Sequence, residues 1–217
     1  MNIVFFGTSG FAVPALEKLL ASTHRVMAVV TQPDRPAGRG QELHQSPVKE
    51  VALAKALHLF QPENCNEYEF IRELRALSPD VIVVVAYGQK LGNDILGMPR
   101  YYVLNIHPSL LPKHTGLHTH RRALEAGDAE HGASVHFVTE QLDGGPVAIQ
   151  GRFSVKPQDN EQTLAERVMQ DVELKIYPQA VAWMARGELR LAGDTVQYRG
   201  RALAAPLTLA DLEPEFR

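Results

Sequence analysis

Residues 80–86 read DVIVVVA. An apolar run with no polar alternation reads as a strand covered on both faces, and such strands sit centrally in parallel sheets. Toward the N-terminus, residues 2–6 (NIVFF) and 25–31 (RVMAVVT) are shorter runs of the same kind, the first ended by Gly7. Between them, residues 12–22 place Val13, Leu16, Leu19 and Leu20 at helical spacing. Residues 48–57 and 67–77 also read as helices, and the Pro- and Gly-rich stretch 32–47 (QPDRPAGRGQELHQSP) reads as a loop, solvated or acting as a lid around Arg35 and Arg39. Strand–helix alternation over the first 105 residues predicts right-handed βαβ units and a doubly wound, mostly parallel α/β sheet.

The character changes toward the C-terminus. Residues 102–107 (YVLNIH) form a strand that ends in polar side chains. A helix is predicted over 118–126, and strands near 132–139 and 146–153 are close enough to pair antiparallel. One long helix follows over 160–186, ended at Gly187, and then a hairpin over 189–198. No repeat or flexible linker interrupts the chain, so 1–217 reads as a single domain with sub-regions 1–100 and 101–217.

Of the 217 residues, 22 are Lys or Arg and 25 are Asp or Glu, a formal net charge of −3. That balance argues against a dedicated nucleic-acid binder. Cys65 is the only cysteine, which excludes an intramolecular disulfide. The start, MNIVFFGTSG, has no basic region ahead of its apolar run, and no apolar stretch approaches the roughly 20 residues that span a bilayer. A cytoplasmic location is the expectation.

The segment richest in chemistry is LNIHPSLLP, residues 104–112. Side chains alternate along a strand, so Asn105 and His107 share a face. They lie at the carboxyl end of a strand expected to be parallel, where open α/β sheets place ligands. Residues 141–146 read QLDGGP. Asp-Gly-Gly between two strands is first a turn; Asp143 can also turn inward, with glycines permitting close approach of a ligand. An amide, an imidazole and a carboxylate are the parts that acyl transfer to an amine needs. Asn105 can stabilise the developing oxyanion, His107 can move a proton, and a nearby Asp143 would favour the imidazolium. No serine or cysteine nucleophile is evident, so direct transfer is the simpler chemistry.

Blander readings stand beside each of these. His107 alone can be a satisfied core histidine, and Asp143 alone a turn residue. His118-x-His120 can chelate, yet no Cys, Asp or Glu stands at a spacing that completes a tetrahedral set, so no metal is expected. Gly7-x-x-Gly10 lacks the full dinucleotide fingerprint.

The Asn-x-His strand, the Ser109–Pro112 loop (SLLP) and the later Asp143 together resemble the folate-dependent formyltransferase family. Residues 1–99 are similar to methionyl-tRNA formyltransferases, through FFGTSGFAVPAL, TQPDRPAGRG, SPVK and VVVAYG. Residues from about 102 onward are similar to phosphoribosylglycinamide formyltransferases, through NIHPSLLPK and GLHTHRRALEAGDAEHGASVHFVTEQLDGGPV. A hybrid joined near residues 97–104 is the expectation.

The resemblance implies a Rossmann-type formyltransferase fold, 10-formyltetrahydrofolate as co-substrate, no metal, and Asn105, His107 and Asp143 as catalytic residues. It implies that the folate is held along Tyr87, Gly88, Gln89, Lys90 and Leu91, with Gln89 and Lys90 at the pocket mouth. Ser109, Leu110, Leu111 and Pro112, and then Val138, Gln141, Leu142 and Gly144, complete the expected folate site. It implies a small phosphorylated amine bound by Ser9, Gly10, Phe11, Ala12 and Glu173, with glycinamide ribonucleotide first. Methionyl-tRNA, a nucleotide-linked amino sugar, or an inactive folate-binding hybrid are the alternatives. tRNA is disfavoured by Gln41-Glu42 in a loop that is basic in that subfamily, by His118-Thr119-His120 at the rim, and by a chain that stops before that subfamily's further domain. A monomer or weak homodimer is expected.

Overall fold

The structure, a computed structural model, describes residues 1–37 and 42–217. Its contacts fall into two compact units, Met1–Val103 and Leu104–Arg217.

In the first unit the hub is β1 (Asn2–Gly7), which pairs in parallel with β2 (Arg25–Val30) on one side. On that side β2 in turn pairs in parallel with a two-residue strand further along the chain, β5 (Leu59–Phe60). On its other side β1 pairs in parallel with β6 (Val81–Val85). The chain therefore winds outward from β1 and then returns to its far edge. The reversal lies between β1 and β6, the crevice where sheets of this kind expose their strand ends to ligands. Helix α1 (Val13–Leu20) makes the first crossover; α2 (Pro47–Ala54), capped by Ser46 Oγ accepting from Lys49 N–H, and α3 (Tyr68–Ala76) make the later ones. All five residues of β6 are buried, as the continuous apolar run requires. The ring of Phe6 meets Tyr87 edge-on at 5.0 Å and Phe70 at 6.3 Å.

The stretch 32–47 is more than a loop: β3 (Arg35–Ala37) and β4 (Glu42–His44) pair antiparallel there. Three-residue strands, one containing Pro36, carry too little period to be read from sequence. Arg39 and Gln41 lie outside the described residues. A short helix α4 (Asn93–Leu96) follows the β6 loop.

The second unit is built differently. Strand β7 (Val103–His107) pairs antiparallel with β8 (Glu130–Phe137), which pairs antiparallel with β9 (Val147–Ser154). Helix α5 (Thr119–Glu125) lies between β7 and β8 in the chain. The single helix expected over 160–186 is three segments: α6 (Glu161–Arg167), a π-helical turn (Val168–Glu173) and α7 (Leu174–Ala185). Pro178 sits inside α7 and has no N–H for the carbonyl one turn back, and the wider π turn immediately precedes it. Val172, Ile176 and Tyr177 are buried, and the Tyr177 hydroxyl donates to Leu104 O at 2.9 Å. The tail holds β10 (Leu189–Ala192), β11 (Thr195–Tyr198) and β12 (Arg201–Ala202), all antiparallel.

The fold class is thus α/β, a doubly wound and mostly parallel sheet with antiparallel additions in the second half. Among the described residues no helix is long and apolar enough to cross a membrane.

Candidate active site

The ladder between β7 and β8 sets the site. It places Asn105 opposite His136 and His107 opposite Ser134. Asn105 Nδ2 lies 2.9 Å from His136 Nε2. The His136 ring is buried, and its Nδ1 lies 3.1 Å from Phe137 O. A carbonyl only accepts, so Nδ1 carries the proton and Nε2 is left as an acceptor. That assigns the amide of Asn105: its NH₂ faces His136, and one of its two N–H groups is spent there. Burial also pushes the His136 pKa down, which keeps the ring neutral in this role.

His107 is fixed by the same logic. Its Nε2 lies 2.8 Å from the carbonyl of His114, so Nε2 carries a proton in either charge state. Nδ1 is then the nitrogen at which a proton is gained or lost. It faces Asp143 Oδ2 at 3.5 Å, and both side chains are nearly buried, at 7% and 10% exposed. That separation is longer than a hydrogen bond.

Asp143 does turn inward. Its Oδ2 accepts from Gly116 N–H at 2.7 Å, and its Oδ1 lies 3.8 Å from His136 Nε2. Its backbone adopts φ of 50°, a conformation that a non-glycine residue holds only when its surroundings over-determine it. Two neighbours do so. Gly144 N–H closes a turn onto Gln141 O at 3.1 Å. At Gly145 any Cβ would collide with the Phe137 carbonyl, whose own N–H is bonded to Pro146 O at 3.0 Å.

The loop after β7 is internally braced. Ser109 is fully buried and its hydroxyl donates to Lys113 O at 2.7 Å. Ser134 Oγ donates to Ser109 O at 2.7 Å and accepts from Leu111 N–H at 3.1 Å. Gln150 Nε2 donates to Leu111 O at 2.8 Å, and the Leu111–Pro112 peptide is cis. Leu110 is half-buried and Pro112 exposed. Of the second folate segment, Val138 is half-buried, while Gln141, Leu142 and Gly144 are exposed.

In the first unit several expected contacts are already occupied. Tyr87 O accepts from Thr8 Oγ at 2.8 Å and from Gln32 Nε2 at 3.3 Å. The Gln89 side chain does not stand free at a pocket mouth: its Oε1 accepts from Cys65 N–H at 2.8 Å and its Nε2 donates to Gln32 Oε1 at 3.2 Å. The cause is a local network of amides that satisfies Gln89 within its own unit. Lys90 is exposed, Leu91 is buried, and Gly88 has φ of 95°. In the loop after β1, Ala12 is wholly buried and its N–H is spent on Ser9 O at 2.9 Å, so it offers a ligand nothing. Gly10 and Phe11 are exposed. Ser9 Oγ is buried without a hydrogen-bond partner among the described residues. Glu173 ends the π turn, and burial pushes its pKa up to about 7.

No group of three or more His, Cys, Asp or Glu among the described residues is placed to hold a metal. His118 caps α5 in a left-handed conformation, φ 58°, and His120 Nδ1 lies 2.9 Å from His131 Nε2.

The formyl transferase family profile matches residues 1–181. The chain belongs to the formyl transferase family. Among curated relatives, a methionyl-tRNA formyltransferase of Thermotoga maritima is 42% identical over 170 residues, 78% of this chain and 54% of that protein. One from Hydrogenovibrio crunogenus is 45% identical over 168 residues, 77% of this chain and 54% of that protein. The chain spans about half the length of these relatives. Among solved structures, the phosphoribosylglycinamide formyltransferase of Coxiella burnetii superposes with a TM-score of 0.79 at 31% identity, covering 95% of this chain and 97% of that chain. The names of these relatives count against the expectation that tRNA is disfavoured.

Three residues of the candidate site are not legible in the sequence. His136 was visible only as one of several clustered histidines, and Gly116 and His114 contribute backbone atoms, for which side-chain identity gives no signal.

His131 yields a pH prediction. Burial, with His120 beside it, holds its pKa near 4, below the ordinary 6.5. Between those values the unfolded chain takes up a proton that the folded chain refuses, so stability falls as pH drops from 6.5 toward 4, by roughly 3 kcal/mol from this group. Glu173 has the opposite sign, because its raised pKa lets the folded state gain a proton as pH falls below 7. The measurable quantity is therefore a difference. In His131→Phe the loss of stability on acidification from pH 6.5 to 4, followed by urea unfolding, is expected to be smaller than in the wild type. Equal slopes would sink the assignment.

Proposed function

We propose that this chain moves the formyl group of 10-formyltetrahydrofolate directly onto a primary amine, and that the amine is that of glycinamide ribonucleotide. The observation that carries the reading is the convergence of Asn105 and His107, two side chains on one face of β7, with Asp143 from a distant loop, in one nearly buried cluster. The amine nitrogen attacks the formyl carbon, and the N10–carbon bond of the folate breaks. The second N–H of Asn105 meets the oxygen that becomes negative at the tetrahedral stage. His107 Nδ1 takes the amine proton and returns it to N10, while Asp143 steadies the imidazolium formed on the way. The reaction needs no acyl-enzyme and no metal.

The acceptor assignment is supported by the resemblance of residues from about 102 onward to phosphoribosylglycinamide formyltransferases and by a solved relative of nearly the same extent. Glu173, in the same unit as His107 and Asp143, is the proposed contact to the acceptor. A second reading, methionyl-tRNA as acceptor, is supported by the names of the curated relatives. We read the two units as one formyltransferase domain.

The deciding experiment offers the purified chain 10-formyltetrahydrofolate with each of three acceptors in turn and follows release of tetrahydrofolate. Turnover is expected with glycinamide ribonucleotide. Turnover with methionyl-tRNA alone moves the assignment to the second reading. Folate binding with no turnover on any acceptor refutes both and leaves an inactive hybrid.

A further inference from the structure

His107 is held by a backbone atom, the carbonyl of His114, and that carbonyl belongs to a residue in an unfavourable conformation. His114 has φ of 52°. A non-glycine residue holds that conformation only at a cost, so the loop needs an external reason to stay in place. The His114 side chain supplies one. Its Nε2 lies 2.7 Å from Asp128 Oδ2, and both side chains are nearly buried, 13% and 11% exposed. Asp128 stands just beyond α5, and its N–H is bonded to Ala123 O at 3.0 Å. Hydrogen bonds from Lys113 and His114 hold its carboxyl below the usual range, so it is ionised.

The anchors on either side of His114 are consistent with this. Lys113 O accepts from Ser109 Oγ at 2.7 Å, Thr115 O accepts from Arg122 Nη1 at 2.5 Å, and Gly116 N–H reaches Asp143 at 2.7 Å. The strained loop thus presents two backbone atoms, one to each member of the His107–Asp143 pair. At His114 a nearly buried side-chain hydrogen bond, to the Asp128 carboxylate, acts on the residue that holds His107.

We propose that Asp128 and His114 are positioning residues for His107: the hydrogen bond between their side chains fixes the left-handed turn whose carbonyl orients the imidazole and keeps Nδ1 aimed at Asp143. This rests on the formyl-transfer reading for its kinetic readout but not for its spectroscopic one.

The test compares Asp128→Ala, His114→Phe, the double variant, and Lys113→Ala, which removes the other cation from Asp128. The kinetic readout is kcat and the KM for 10-formyltetrahydrofolate. The second readout is the exchange of the His107 Nε2 proton with water, seen by ¹⁵N–¹H NMR. Each of the first two variants is expected to lower kcat roughly tenfold with a KM change under about twofold, and to speed the exchange. Their double variant should lose no more than the worse single one, because the two act as one unit. Lys113→Ala should stay within about twofold of the wild type. Additive losses in the double variant, or unchanged exchange in His114→Phe, would overturn the proposal. If the wild type transfers formyl to no acceptor, the functional reading fails, yet the exchange experiment still judges the positioning. If Asp128→Ala does not fold, His114→Phe decides alone.

Discussion

Replacing His107 by alanine is expected to lower formyl transfer by a factor of roughly 10² or more, the usual size of a general acid–base contribution. The ring is buried, one nitrogen is committed to His114 O, and the other faces Asp143 Oδ2 at 3.5 Å. Such a ring has one nitrogen left with which to exchange a proton. Removing it should lower kcat with little effect on folate affinity, since the expected folate contacts lie elsewhere. Asp143→Asn in the same background should add almost nothing, because Asp143 acts on the chemistry through the imidazole. Near-normal turnover of the His107→Ala chain would refute the catalytic role. A large extra loss from Asp143→Asn would show that the carboxylate has a task of its own.

The cluster's coherence comes from the ladder. Antiparallel pairing of β7 with β8 sets Asn105 against His136, and a buried Nδ1–H on His136 turns its Nε2 into an acceptor. One backbone carbonyl thereby fixes the orientation of an amide two side chains away. A second carbonyl, at His114, fixes which nitrogen of His107 is free. The two catalytic candidates on β7 are thus each oriented by a partner rather than by their own rotamers.

The first half of the fold was legible because its strands are continuous apolar runs and its helices keep a clean 3.6 period. The run at 80–86 leaves one placement, buried on both faces, and β6 takes it. Elements with too few residues to show a period, β3, β4 and β5, were not legible, and neither was the π turn, which depends on a hydrogen-bond register that no composition marks. In the site, Asn105 and His107 could be paired from strand alternation alone. Asp143 could not be separated from an ordinary turn residue, because its inward rotation depends on a backbone N–H at Gly116 and on crowding at Gly145. Gln89 shows the converse: its side chain looked available, but the amides that satisfy it, Gln32 and the Cys65 N–H, lie far off in the chain.

Asn105→Ala is expected to lower kcat by roughly 10²–10³, the loss that follows removal of a single oxyanion donor. The assignment of its amide makes the prediction specific. One N–H is used on His136, so the donor left for the oxyanion is held in direction by that first bond. Truncation removes both at once and leaves His136 Nε2 as a buried acceptor without its donor, a cost of about 1–3 kcal/mol in stability. The two losses separate experimentally. Turnover measured well below the melting temperature reports the oxyanion term, while the urea midpoint reports the orphaned imidazole. In His136→Phe, the amide keeps both protons but loses its guide, so kcat should fall by less than in Asn105→Ala and the folate KM should hold. Should His136→Phe match Asn105→Ala in kcat, the imidazole would have to act on the reacting atoms itself, and the amide would no longer be the group that meets the negative oxygen.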